Sequence, residues 1–428
     1  MLSSAVILAL IGWTGPTLTA TYSHHEEVRC LRVQEGTLVA GTGGGLLTLG
    51  AQGWAEVAPR VPCTVVRYED DAITTPSGVV MRIQGSEWRP SGRAALQPSS
   101  DSVACTTPDG TVVSTLGSRV LAFDDGSSCP APEAENVYAL AWHAGALWAG
   151  TSDGLWRRGP GGWVREHLPS ILPTQRLHGL AILTRSWLVG GPEGLWDGSP
   201  GTWRLLDSRP VRQVVTHAGS AWVLFGDGST DKLDLAADKR YDAVLHGAVK
   251  RPWSSTLAAG DSLLFGGMGG WVEKSSSRTT EKRPEWLQGA VVTALVASSG
   301  DTFVGTQSSG VYRLAKGTVR NISLLEGLED TWATALAEVA GTVYIGTSQG
   351  GLSRISGDKA LPVQAPTRSI NHMVVWRGSL AIGGNDGAWL SVNGRWIRIG
   401  PEATETTGLA IAAGGLFVLT PYGTYRYD

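Results

Sequence analysis

Residues 148–156 read Trp-Ala-Gly-Thr-Ser-Asp-Gly-Leu-Trp, and Gly150 through Gly154 match G-x-S-x-G, the pattern of a hydrolase nucleophile elbow. Such an elbow needs a strand before the serine, a helix after it, and a histidine and an acid elsewhere to complete a triad. After Gly154 the chain runs Leu-Trp-Arg-Arg-Gly-Pro-Gly-Gly-Trp-Val, the composition of another strand and another turn. The same nine-residue shape recurs at 39–47, 188–196, 344–352 and 381–389, and in most of these the serine position holds another residue. A catalytic serine is needed once. A shape that repeats down the chain is architecture, so Ser152 is read as a hairpin-turn residue.

The glycine that closes each turn anchors the repeat: Gly45, Gly78, Gly110, Gly154, Gly194, Gly228, Gly269, Gly310, Gly350, Gly387 and Gly423. These are eleven units, spaced 32 to 44 residues apart and averaging about 38. Fifteen residues before the anchor sits a strand position (Cys30, Cys63, Ala139, Gly179, Gln213, Leu295, His372, Gly408), and nine before it a second turn. Two further β-like runs come after it, such as 311–314 and 318–322. Each unit therefore contains four short strands, and four-stranded units of about 40 residues are the pattern of a β-propeller blade. Tryptophans such as Trp148, Trp156, Trp187, Trp222 and Trp389 fall within strands, where they can fill the space between neighbouring sheets.

The ends of the chain point to closure. The last unit stops at Tyr425-Arg-Tyr-Asp428 after its third strand, while Thr21 to His24 stand in fourth-strand register ahead of Gly45. Residues 21–27 are therefore expected to close the final blade, which removes an exposed sheet edge. This favours one large closed ring over residues 21–428. Eleven units exceed the usual four to eight blades, which leaves two fused rings as the alternative.

With a formal charge of −3 and no run of lysine or arginine, the chain has no nucleic-acid footprint. Its 57 glycines are about twice the ordinary share, as the turns require. Residues 5–13 form an apolar stretch too short to span a bilayer, succeeded by small residues up to Ala20. Residues 1–20 are read as a secretory signal peptide, with an uncleaved N-terminal anchor as the alternative. The expected location is secreted or periplasmic, with no stable membrane span after cleavage.

Four cysteines, Cys30, Cys63, Cys105 and Cys129, permit two disulfides, and Cys30 and Cys63 share a register position in adjacent units. Buried thiols are the alternative. No zinc-type spacing occurs, and neither a metal nor a cofactor is expected. His24-His25-Glu26-Glu27 reads as a solvated polar tail, because adjacent histidines on a strand point to opposite faces. The acidic run 227–234 lacks the spacing of a calcium loop, and Asn321-Ile-Ser323 is a glycosylation sequon.

The h-G-T-x-x-G-L-W/Y-R shape of 148–158, 303–314 and 344–355 resembles the propeller repeats of bacterial two-component regulator sensor domains, within the WD-repeat-like and YVTN-like propeller group. The resemblance covers about 28–428 and is strongest over 137–205 and 289–400. It implies a propeller fold and leaves binding, scaffolding and enzymatic roles open. The sensor proteins continue into a transmembrane segment and signalling domains.

Because no catalytic constellation emerges, the expected function is that of an exported non-catalytic propeller binding a ligand or protein partner. The alternative is a lyase or hydrolase on a propeller scaffold. One candidate site stands out. Seventeen to nineteen residues before the anchors, where blade-to-blade connections should cross one ring face, stand Arg60, Arg93, Arg176, Arg209, Arg251 and Arg368. Their guanidinium forks suit an anionic ligand or an acidic partner, although Glu27, Glu135 and Glu405 occupy equivalent places.

Overall fold

The computed structural model describes residues 15–57, 67–69, 72–75, 78–84, 87–94, 103–116, 119–134, 136–182, 186–234, 239–242, 253–259, 262–275 and 278–428. They form eleven antiparallel four-stranded sheets. In chain order, blades 1 to 11 span residues 28–56, 67–93, 104–130, 137–165, 179–207, 211–242, 253–282, 292–322, 333–363, 372–399 and 408–427. The outer strand of blade 11 comes from the N-terminus, Leu18–Ser23.

The recurring threonine explains why the G-T-x-x-G segment turns. Thr42, Thr151 and Thr420 are buried, and each hydroxyl donates to the carbonyl of the glycine three residues on, at 2.8 to 2.9 Å. Thr306 and Thr347 reach four residues on, to Gly310 and Gly351. Gly154 closes its turn at φ +143°, a region other residues rarely enter. In the unit at 344–352 it is Gly351, at φ +80°, that takes this role instead of Gly350, because that turn is one residue longer.

Blade-to-blade packing uses the glycine just before that threonine position, itself glycine at 191, 267 and 384. It leaves room for the start of the neighbouring blade's inner strand: a side chain on Gly190 would meet Val211, one on Gly266 would meet Val292, one on Gly346 would meet Ile370 and one on Gly383 would meet Thr406, all within 2.4 to 2.6 Å. Each pair joins a blade to its successor. Gly150 of blade 4 breaks the sequence order, since it faces Val28 of blade 1.

The blades therefore fall into two groups, the larger of them a closed ring. Blades 5 to 11 pack in order, and blade 11 returns to blade 5, with Phe417 and Leu419 in one core with Leu177, Leu180 and Val189. Blades 1 to 4 form the other group, in which blade 1 packs on blades 2 and 4, and blade 3 on blade 4. Of the two arrangements open from sequence, a single ring of eleven is not the one adopted. The smaller group is inserted where the outer strand of blade 11 would otherwise lead directly into blade 5.

The outer strand of blade 11 is Leu18–Ser23, whereas the register places it at 21–24. Leu18–Ser23 pairs with Gly423–Tyr427, from Leu18 opposite Tyr427 to Ser23 opposite Gly423. Tyr22 packs edge-on against Trp187 of blade 5, centroids 4.7 Å apart. The apolar stretch of the expected signal lies outside the described residues, and among those residues no helix is long and apolar enough to cross a membrane. Tryptophans fill the space between blades: Trp54 meets Trp148 between blades 1 and 4, and Trp222 meets Phe265 between blades 6 and 7.

Candidate functional site

The seven inner strands of the larger ring converge on a central channel of about 310 Å³. Its lining comes from the first residues of every one of them, including His178, Arg212, Ser255, Thr293, Thr334, His372 and Gly408. The mouth is therefore on the face that carries the blade-to-blade connections.

A β-bulge sits at the start of several inner strands, between Val211 and Gln213, Val292 and Ala294, and Ala333 and Ala335, and it turns one side chain toward the neighbouring blade. Around the mouth, polar side chains in or beside this position stitch each blade to the next. Thr293 donates to the carbonyl of Ala333, Thr334 to Ile370, and Ser255 to Val292 at 3.3 Å. Thr407 donates to Leu177 at 2.6 Å and closes the circle from blade 11 to blade 5. His178 Nδ1 lies 2.9 Å from the carbonyl oxygen of Val211, which can only accept, so that nitrogen carries the proton.

Two lining residues depart from this pattern. Asn371 donates to Asn385 Oδ1 in its own blade at 2.8 Å. Arg212 is exposed, and among the described lining residues it is the one charged side chain apart from the histidines. His372 is partly open to the lumen, yet the surrounding strands strip its water, and burial together with His178 holds its pKa down at about 4. Both imidazoles line a channel whose described walls contain no carboxylate.

Of the arginines singled out from sequence, Arg60 and Arg251 lie outside the described residues. The other four each meet a carboxylate: Arg93 meets Glu402 at 3.4 Å, Arg176 meets Glu405 at 2.7 Å, Arg209 meets Asp207 and Asp231, and Arg368 meets Glu329 at 3.2 Å. Arg176, Arg209 and Arg368 precede inner strands of the larger ring. Arg93 ends the outer strand of blade 2, and its partner Glu402 belongs to the larger ring, so the set divides between the two groups.

The segment His24 to Glu27 is not a solvated tail. It joins the two groups of blades, and His24 and His25 are 3% and 1% exposed. His25 bridges Thr42 at 2.6 Å and Glu56 at 2.9 Å. Glu26 meets Arg165 at 3.1 Å, and Glu27 meets Arg29 at 2.6 Å. Burial, with His25 and Arg165 adding to it, holds the pKa of His24 down at about 3, while burial and then Glu193 raise that of Glu26. Beside them lies a second cavity of about 410 Å³ walled by Trp196, Trp203, Arg165 and His167.

Ser152 sits in the turn between Ala146–Thr151 and Gly154–Gly159, where its amide donates to Asn136 O and its hydroxyl accepts from the Asn136 amide. The next element is a strand, not a helix. Cys30, Cys105 and Cys129 are thiols, and Cys63 lies outside the described residues. Cys105 and Cys129 occupy the first and last strands of blade 3, three strand spacings or about 14 Å apart, beyond the reach of a disulfide. Burial pushes the Cys105 thiol up to about 11.

No protein-family model and no curated protein matches the chain. Among solved structures it is similar to the extracellular domain of the hybrid two component system BT3049 from B. thetaiotaomicron, with a TM-score of 0.51 and 12% identity over 92% of this chain and 61% of that one. The extracellular domain of the hybrid two component system BT4673 from the same organism aligns with a TM-score of 0.48 and 13% identity over 94% of this chain and 64% of that one. The chain spans less than two thirds of the length of either structure. At such identity the likeness to the first is one of fold, and it agrees with the β-propeller read from the repeats.

The channel lining was partly written in the repeat. Gly179, Gln213, Leu295, His372 and Gly408, which fix the position fifteen residues before the anchors, all line it. The register marked them as equivalent strand positions. That the equivalent positions meet around one axis is a tertiary fact.

Proposed function

We infer that this protein is an exported, non-catalytic binding module, and that the connection-bearing face of its seven-bladed ring recognises an anionic ligand or an acidic protein surface. The observation that carries this reading is the channel mouth, a concave polar site on that face with basic and neutral donors and no described carboxylate. Arg176, Arg209 and Arg368 stand ahead of inner strands that line it. Arg176 and Arg368 are 47% and 78% exposed, and exposed ion pairs contribute only about 0–1 kcal/mol, so their pairings can open toward a partner's carboxylates. Arg209 and Arg251, which precede inner strands of the same ring in the chain, are offered as further contacts of this kind. An extracellular setting fits the solved domains that share the fold, both named as extracellular.

The lyase or hydrolase alternative needs an acid, a base or an activated nucleophile at one point. The hydroxyls of Ser255, Thr293 and Thr334 give their protons to main-chain carbonyls, which leaves none of them hydrogen-bonded to an imidazole base. The test is a binding screen of the purified protein against acidic proteins and polyanionic glycans across a salt series. A complex that weakens as salt rises, and weakens further in the Arg176→Ala, Arg368→Ala double variant, supports the reading. Affinity indifferent to both would overturn it.

A further inference from the structure

We propose that the mouth of the seven-bladed channel binds a small oxyanion, a carboxylate or a phosphate group, on the guanidinium of Arg212. This rests on the reading that the surrounding face is a recognition surface, and it names the chemistry held at the centre of that face.

Position is the first argument. Thr293 and Thr334 occupy the bulge of their inner strands and are spent on the seam between blades. Arg212 occupies the same bulge in blade 6 and stays exposed at the channel mouth. A residue that only closed a seam would need no charge there.

Charge balance is the second. Arg209, three residues upstream, engages both Asp207 and Asp231 and stacks over Phe225, its guanidinium carbon 3.8 Å from the ring centroid. That arrangement ties the nearby carboxylates to Arg209. Arg176 and Arg368 on the same face likewise have Glu405 and Glu329. Among the described residues no carboxylate is paired with Arg212, and none lines the channel. A positive group at the mouth of a cleft walled by protein concentrates its field on whatever enters.

The surrounding donors and the volume complete the fit. Asn371 uses one amide hydrogen on Asn385 and retains a second, a neutral donor beside the guanidinium. A guanidinium offers two parallel N–H bonds to a carboxylate or phosphate. The cavity of about 310 Å³ is at the small end of the range for small-molecule sites.

The experiment is isothermal titration of the full chain at low ionic strength with succinate, inorganic phosphate and sulfate. Saturable binding of at least one probe is expected, weakened tenfold or more by Arg212→Gln and less by Arg212→Lys, which keeps the charge and loses the fork. The order of succinate and phosphate affinities distinguishes a carboxylate from a phosphate ligand. An acidic partner that binds the parent and weakens in the Arg176→Ala, Arg368→Ala double variant, while all three probes fail, would overturn this site and leave the wider reading standing. Absence of saturable binding, or an Arg212→Gln variant that binds as the parent does, would overturn the proposal. Arg212 is exposed, so both variants should melt with the parent; if Arg212→Gln does not, the comparison with Arg212→Lys decides.

Discussion

Val28 covers Gly150. A side-chain carbon on Gly150 would stand 2.8 Å from both Cγ1 and the carbonyl oxygen of Val28, the same relation that Gly190 has to Val211 and Gly383 to Thr406. In those pairs the covering residue belongs to the next blade in the chain. For Gly150 it belongs to a blade more than 100 residues earlier, and this contact makes blade 4 the neighbour of blade 1. Gly150→Ala should therefore force the two blades apart and cost about 1–3 kcal/mol, as overpacking does. Thermal or urea unfolding of the variant measures it, and an unchanged midpoint would mean that the interface has slack to give.

The closing strand yields a second expectation. Removing residues 18–23 strips the hydrogen-bonding partner from Gly423–Tyr427 and takes Tyr22 off Trp187. The melting temperature should fall and the exposed edge should promote association, seen as higher-mass species in size-exclusion chromatography. Cleavage after Ala20 would leave Thr21, Tyr22 and Ser23 of the strand, so a chain starting at residue 21 should be more stable than one starting at 24. Equal stability of the two would remove the strand from the closure argument.

Neighbouring residues in one turn should respond in opposite ways. Ser152→Ala loses only a hydroxyl that accepts from the Asn136 amide at the surface and should change stability by less than about 1 kcal/mol. Thr151→Val removes the buried hydroxyl that donates to Gly154 O and should cost about 1–3 kcal/mol, because the carbonyl stays buried without it. If labelling by a serine-directed phosphonate were found at Ser152, its reading as a turn residue would fail.

The junction between the two groups of blades should give the protein an acid sensitivity. His24 is buried neutral, with its pKa held at about 3, against about 6.5 in an unfolded chain. Above pH ~6.5 neither state holds the proton. As the pH falls from there toward 3, the unfolded chain binds a proton that the folded one refuses, and stability declines. His372, held at about 4 in the channel, adds to the same trend. The melting temperature should drop between pH 6.5 and 5, where most carboxylates remain ionised, and His24→Gln should reduce that drop. Identical slopes in parent and variant would rule out His24 as a source.

The sequence by itself determined the blade. Four strands, a threonine-closed turn and a small residue where the next sheet approaches are local requirements, so each is written into the repeating unit and can be read there. The partition into seven and four was decided by tertiary structure. The residues that begin inner strands, such as Val28, Val211 and Val292, are interchangeable apolar groups, and nothing in Val28 says which glycine it will cover. The triple glycine at 43–45 shows the same limit. It looks like one more flexible turn, yet side chains on Gly43 and Gly44 would collide with Tyr422 and with His24 and His25, where the two groups of blades meet. The burial of His24 and His25 comes from that meeting, and the gathering of His178, Arg212 and His372 at one mouth comes from seven strands sharing an axis. Such contacts join residues up to hundreds of positions apart, and only the folded chain brings them within reach.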